Sequence, residues 1–315
     1  MKCTVCREPA VIDLRRHNSN FCAPHFTKFC RDQVVKAIDE FGMIARDDKV
    51  LVAVSGGKDS LAVWDILLDL GYDVTGLYIG LGIGEYSDES KRYALEYATR
   101  RDARLITVDL VDEYGYDIPE GSRQARRAPC SACGLSKRHI FDKVAVDEGF
   151  DVLVTGHNLD DEAAVLFGNV LKWQTEYLGR QHPVLPERDG FPRKVKPLVR
   201  LGEREMAAYC IVSGIDYIVE ECPMSAGNKH LNYKNLLNDL ELQSPGAKAD
   251  FYLNFLRKAS ERFAVEAAES RQSLGSCTTC GAPSPSEICA FCRLVDRATG
   301  GSTQSIALTT KERSE

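Results

Sequence analysis

Cysteine, with the groups that stand beside it, carries most of the chemistry this chain could do. Cys3, Cys6, Cys22 and His25 form C-x2-C-x15-C-x2-H, and Cys277, Cys280, Cys289 and Cys292 form C-x2-C-x8-C-x2-C. Two close pairs on two turns supply four ligands tetrahedrally, and thiolate with imidazole suits zinc, so each quartet is expected to hold one structural Zn²⁺. Redox pairs or chance clustering are the competing reading. Neither segment has enough apolar sequence to fold unaided, so metal binding would supply much of its folding free energy. Cys30 falls on a helical stripe with Phe26, Phe29, Val34, Ile38 and Phe41, and Cys210 on one with Met206, Tyr209 and Ser213, so both read as core residues. Cys130, Cys133 and Cys222 remain, and three thiols cannot close a tetrahedral site alone. On spacing, a redox-active pair, a third zinc site completed by His157 and a metal cluster are equally open.

A second constellation is Ser55, Gly56, Gly57, Lys58, Asp59 and Ser60. Ser and Gly between a strand and a helix N-terminus let backbone N–H groups approach an anion, while the helix dipole and Lys58 add positive potential. The loop reads as a phosphate cradle. It has neither Walker A spacing nor G-x-G-x-x-G. The bland alternative, adjacent glycines that only turn the chain, leaves Lys58 and two hydroxyls without a purpose.

The elements that must position these groups read as α/β. Apolar runs at residues 50–54, 74–81, 105–110 and 151–155 alternate with helical stretches at 61–68, 89–101, 134–148 and 160–172. A further short strand is expected at 215–219, just before Cys222. Such alternation predicts a doubly wound parallel sheet with right-handed crossovers and a ligand beyond the carboxyl ends of its strands. With 315 residues and 44% hydrophobic content the chain can bury a real core. It has no apolar stretch of about 18 residues to cross a membrane and begins without an apolar leader, so a cytoplasmic location is expected. Forty Lys and Arg against 46 Asp and Glu give a net charge of -6, which argues against a surface coated in positive charge but leaves room for local basic grooves.

Residues 55–60 resemble the loop of the PP-loop ATP pyrophosphatase superfamily. Thr155, Gly156, His157, Asn158 and the following residues to Ala163 resemble the T-G-H-N element of its tRNA 2-thiolation branch, the TtcA/TtuA family, as does the stretch from Pro129 to Gly134. With zinc-type modules at both ends and Cys222 between Glu221 and Pro223, the resemblance covers residues 1 to about 295. It implies a [4Fe-4S] cluster on Cys130, Cys133 and Cys222, with one iron open to bind sulfide. It implies ATP contacts at Ala53, Val54, Ser55, Gly56, Gly57, Lys58, Asp59, Ser60, Ile79, Lys137 and Gly156. Lys137 and Asp161 carry over as catalytic candidates, Asp161 through Mg²⁺ or the attacking group. The competing readings are a solvated Lys137 and an Asp161 that caps its helix, a role Asp160 could take instead.

The implied reaction adenylylates C2 of a T-loop uridine or ribothymidine at position 54 of tRNA and replaces its oxygen with sulfur. A ubiquitin-like carrier with a C-terminal thiocarboxylate would deliver the sulfur, and the enzyme would be a homodimer. Alternatives are a wobble-uridine paralogue, an amide-forming ligase of the same superfamily and, from another class, a noncatalytic zinc-finger RNA-binding protein. Two basic segments suit a polyanionic substrate: residues 121–140, with Arg123, Arg126, Arg127, Lys137 and Arg138, and residues 180–204, with Arg188, Arg193, Lys194, Lys196 and Arg200. The expected organisation is an N-terminal zinc module over 1–48, a catalytic domain over 49–265, a zinc ribbon over 266–298 and a tail over 299–315.

Overall fold

A computed structural model describes residues 1–225, 229–269 and 274–301; the expected tail lies almost wholly outside them. A hairpin of β1 (Ile12–Leu14) and β2 (Ser19–Phe21) leads into the helix Ala23–Phe41. The central sheet then follows as β3 (Lys49–Val54), β4 (Asp73–Gly80), β5 (Leu105–Asp109), β6 (Val152–Val154), β7 (Val184–Leu185) and β8 (Arg193–Val195). Its order is β5-β4-β3-β6-β8-β7. All pairings are parallel except the edge hairpin of β7 on β8. Successive connections run outward from β3 in one direction through β4 to β5, and in the other through β6 to β8. The carboxyl ends of β3 and β6 therefore flank the topological switch point, where a doubly wound sheet opens a crevice.

Alternation along β3 divides the core. Val50, Val52 and Val54 pack with Trp64, Phe26 and Met206 on one side, whereas Leu51 packs with Leu77, Ile79 and Leu153 against Ile140, Val144 and Phe291 on the other. A strand buried on both faces has to be apolar at consecutive positions, which is why these runs are continuous in the sequence. Cys30 and Cys210 are fully buried within the first cluster, and burial pushes both thiols up.

Three expectations are corrected. Residues 215–219 are not a strand: they run as an irregular segment across the phosphate loop, tied to it by Ile218 N–H donating to the Gly56 carbonyl at 3.0 Å. Ile215 and Ile218 are buried there, so β-branched residues satisfy their burial without a sheet neighbour. The cap of the helix Leu159–Leu171 is Asn158, not Asp160. The Asn158 side chain accepts from the N–H groups of Asp160 and Asp161, and Asp161 accepts from Asn158 N–H in return. The helix bearing Cys130 and Cys133 also begins a turn earlier than its apolar stripe suggests, at Pro129. The hairpin of β9 (Gly275–Ser276) and β10 (Pro283–Ser284) and the helix Ala290–Ala298 complete the fold.

Candidate functional site: a phosphate loop beside a cysteine trio

Residues 55–60 turn β3 into the helix Lys58–Asp69. The hydroxyls hold the turn: Ser55 N–H donates to Ser60 Oγ at 3.1 Å, Ser60 Oγ donates to the Gly57 carbonyl at 2.9 Å, and the two Oγ atoms lie 3.1 Å apart. Gly56 sits at φ +74, and a Cβ there would stand 2.3 Å from the Ser90 carbonyl oxygen. Gly156, just past β6, is pressed against the same turn, where a Cβ would meet Ser60 N at 2.9 Å. Both glycines are therefore demanded by close approach of main chain.

A chain of charge crosses the switch point. Lys58 Nζ lies 2.7 Å from Glu203 and 3.3 Å from Asp59, and Lys234 Nζ lies 2.6 Å from Asp161 and 3.3 Å from Glu203. Asn158 Nδ2 donates to Asp59 at 3.0 Å. Burial works to raise the Asp161 and Glu203 carboxyls, but Lys234 on the first and Lys58 with Lys234 on the second hold both below their ordinary values. Asp59 goes the other way: burial pushes it up to about 6, against Lys58 and Asn158.

Cys222 lines the opening beside the phosphate loop, and Cys130 and Cys133 lie near it. Cys130 and Cys133 lie in the first turn and a half of the helix Pro129–Asp147. Cys222 arrives on the irregular segment, and Cys130 Sγ donates to the Met224 carbonyl at 3.3 Å. Burial raises the Cys133 thiol while Lys137 beside it lowers it, and the proximity of Cys222 and Cys130 raises it further. A cavity of about 450 Å³ has Ser55, Gly57, Lys58 and Asp59 of the loop in its lining together with Tyr86 and Cys222. Ala53, Val54, Ile79 and Gly156 lie at strand ends around the loop, and Asp161 and Lys137 stand outside the lining.

The expected terminal quartets assemble. Cys3 Sγ and Cys22 Sγ lie 3.5 and 3.1 Å from His25 Nδ1, and Cys6 Sγ lies 3.6 Å from Cys22 Sγ. In the second quartet Cys277 is 3.9 Å from Cys292, and Cys280 is 3.8 Å from Cys289. A tetrahedral ion with Zn–S of about 2.3 Å needs sulfurs about 3.8 Å apart, so both quartets fit one zinc. Among the described residues only these two groups draw their ligand atoms within 4.8 Å of one another. A third zinc on Cys130, Cys133 and Cys222 completed by His157 is not among these groups; His157 Nδ1 instead meets Thr155 Oγ1 at 2.8 Å. Three thiols that neighbour one another yet are spread wider than one ion allows fit a polynuclear cluster.

Comparison with known proteins places this geometry. Residues 2–27 match the N-terminal LIM domain of the 2-thiouridine synthetase TtuA, and residues 28–233 match the PP-loop domain. The tRNA-5-methyluridine(54) 2-sulfurtransferase of Thermus thermophilus is 48% identical, over 94% of this chain and 91% of its own. Its counterpart from Pyrococcus horikoshii is 42% identical, over 93% of each. The chain belongs to this family. The fold is shared with the U34-tRNA thiolase NcsA of Methanococcus maripaludis, solved with its [4Fe-4S] cluster: TM-score 0.76, 24% identity, 93% of this chain and 95% of that one.

Because members of this sulfurtransferase family are named for a tRNA, free positive charge is informative. Of the two basic segments, residues 180–204 are corrected: Arg188 pairs with Asp189, Arg193 with Asp48, Lys194 with Asp142, Lys196 with Glu162 and Arg200 with Glu40. These cations neutralise carboxylates of the chain itself. In residues 121–140 only Arg123 is paired, with Glu120. Sequence reasoning overlooked Tyr86, Asn158, Glu203 and Lys234. Asn158 lay in plain view within the T-G-H-N element, whereas Glu203 and Lys234 come in from helices with no local pattern to mark them.

Proposed function

We propose that this family member is an ATP-dependent tRNA-uridine 2-sulfurtransferase acting at position 54 of the T loop, in the cytoplasm. The observation that carries the reading is one cavity whose lining includes both the phosphate loop and Cys222, because activation and sulfur transfer must meet at one carbon. The loop amides, the helix dipole and Lys58 would hold the β and γ phosphates, and Lys137 would face the α phosphate. Attack of the C2 oxygen on the α phosphorus expels pyrophosphate and leaves the base adenylylated; sulfide then bonds to C2, and AMP departs with the former oxygen. A [4Fe-4S] cluster on Cys130, Cys133 and Cys222 supplies, when bound, a fourth iron with an open position for that sulfur. Glu203 occupies Lys58 until phosphate competes for it, and Lys234 holds Asp161 ionised, as a Mg²⁺ ligand must be.

Residues 49–265 form the catalytic unit in this proposal, with the zinc modules of 1–48 and 266–298 gripping tRNA shape and exposed loop bases. A homodimer and a thiocarboxylated ubiquitin-like sulfur carrier belong to the same proposal. The test is anaerobic reconstitution with iron and sulfide, then ATP, sulfide and unmodified tRNA, with thiolated nucleosides mapped by mass spectrometry. Product at position 54 supports the reading. Product at the anticodon replaces it with wobble thiolation, and absence of AMP formation with tRNA present returns the chain to noncatalytic RNA binding.

A further inference from the structure

The turn at residues 125–127 and the helix Ala290–Ala298 enclose a recess of about 180 Å³ whose charged lining is Arg126, Arg127, Arg293 and Arg297. All four arginines are exposed. Among the described residues, none of the four forms an ion pair with a carboxylate, in a chain whose net charge is -6. We propose that this recess is a backbone-phosphate subsite for the tRNA, built jointly by the C-terminal module and the cysteine-bearing segment; the proposal rests on the tRNA reading above.

The fold holds like charges together here. Arg293 and Arg297 are four residues apart on the solvent face of one helix, a spacing at which like charges destabilise. That helix is fixed by its other face: Phe291 stacks on His139 with centroids 4.0 Å apart and meets Tyr114 edge-on at 5.1 Å. Arg126 adopts φ +50, the left-handed region that non-glycine residues avoid. The turn is held there by Arg126 N–H to the Arg123 carbonyl at 3.0 Å and Arg127 N–H to the Ser122 carbonyl at 2.8 Å. Arg127 Nε donates to Ser131 Oγ at 2.9 Å, and Arg293 donates to Ser286 Oγ at 2.9 Å, so two of the guanidiniums are already oriented. Repulsion maintained at this cost is relieved by an anion, and planar guanidinium forks match phosphate oxygens. Four positive groups exceed the single charge of one phosphodiester, which suits successive phosphates of a nucleic-acid backbone. Arg127 also lies three residues before Cys130, so a strand gripped here passes beside the cysteine trio.

The test is the double variant Arg126→Gln/Arg297→Gln in the full chain, loaded with zinc and cluster. It spares the two arginines that bond to their own turns. Titrating tRNA at several salt concentrations should show binding weakened about tenfold or more, with the salt slope reduced by about two. Zinc content and ATP affinity should stay with wild type, and the melting temperature should not fall, since the variant relieves the repulsion. Lysine at both positions should restore most of the slope, because charge without the fork still meets phosphate. Unchanged tRNA affinity and slope overturn the proposal. So does a defect confined to a protein-bound sulfur donor with free sulfide still used, which would make the recess a protein-docking surface. A wild-type protein that binds tRNA with the full slope, loses it in the variant, yet makes no thiolated nucleoside upholds the phosphate subsite and overturns the proposed function instead.

Discussion

Asp59 keeps its proton up to about pH 6 when folded, since burial raises its carboxyl and Asp161 and Glu203 add to the effect, whereas an unfolded aspartate releases it near pH 3.9. The associated stability is fully present below about pH 4 and is lost as pH rises through 6. Asp59→Asn, which can still accept from Asn158, is expected to stabilise the chain by about 1–3 kcal/mol at pH 8 and not at pH 4. Urea unfolding at both pH values checks this; an equal gain at both would contradict it. Lys234 has the opposite role, because it bridges Asp161 and Glu203. Lys234→Met should cost about 1–2 kcal/mol by leaving Asp161 without its cation while Glu203 keeps Lys58, and should lower thiolation at least tenfold, read as kcat/KM on tRNA. Wild-type kcat/KM in that variant would remove Lys234 from the working site. At this scale the phosphate loop and the quartets were legible, because their ligands are neighbours in sequence. The Lys58–Glu203–Lys234–Asp161 chain was not, since tertiary packing alone brings its members together.

Elements were legible where burial leaves a period or a run. β3 and β4 are covered on both faces and show as continuous apolar stretches, whereas β7 and β8, two and three residues long, leave no pattern to read. The irregular segment at residues 215–219 misled because lying on a loop and lying in a sheet both select β-branched residues. The close approach of that loop to the helix Gly84–Arg101 makes a paired prediction. Gly56→Ala places a Cβ 2.3 Å from the Ser90 carbonyl oxygen, with φ at +74; it should cost more than about 2 kcal/mol and abolish ATP binding. Gly71→Ala has nearly the same backbone strain, φ +76, but no atom within 4 Å, so it should cost about 1 kcal/mol with ATP affinity kept. Calorimetric titration with ATP checks both, and equal loss in the two variants would make the effect one of strain alone.

At the scale of the whole molecule, the C-terminal module is part of the second core and not an appendage. Phe291, Leu294, Val295 and Ala298 are buried with Ile140, Val144 and Tyr114. Cys277→Ser/Cys280→Ser should therefore lower the melting temperature of the entire chain in one cooperative transition; a separate early transition with the main one unmoved would show an independent module. The net charge of -6 concealed this organisation, because Arg188, Arg193, Lys194, Lys196 and Arg200 pair with the chain's own carboxylates, whereas among the described residues Arg126, Arg127, Lys137 and Arg138 around Cys130 form no such pair. What the molecule achieves as a whole is to line one cavity with both the phosphate loop and Cys222, with Cys130 and Cys133 close to that third cysteine. The most direct test compares wild type with Cys222→Ala, both reconstituted anaerobically and given ATP, sulfide and tRNA, with position-54 nucleosides quantified by mass spectrometry. The expected result is 2-thiolated product from wild type and none from the variant while ATP affinity is retained; full thiolation by Cys222→Ala would contradict the account.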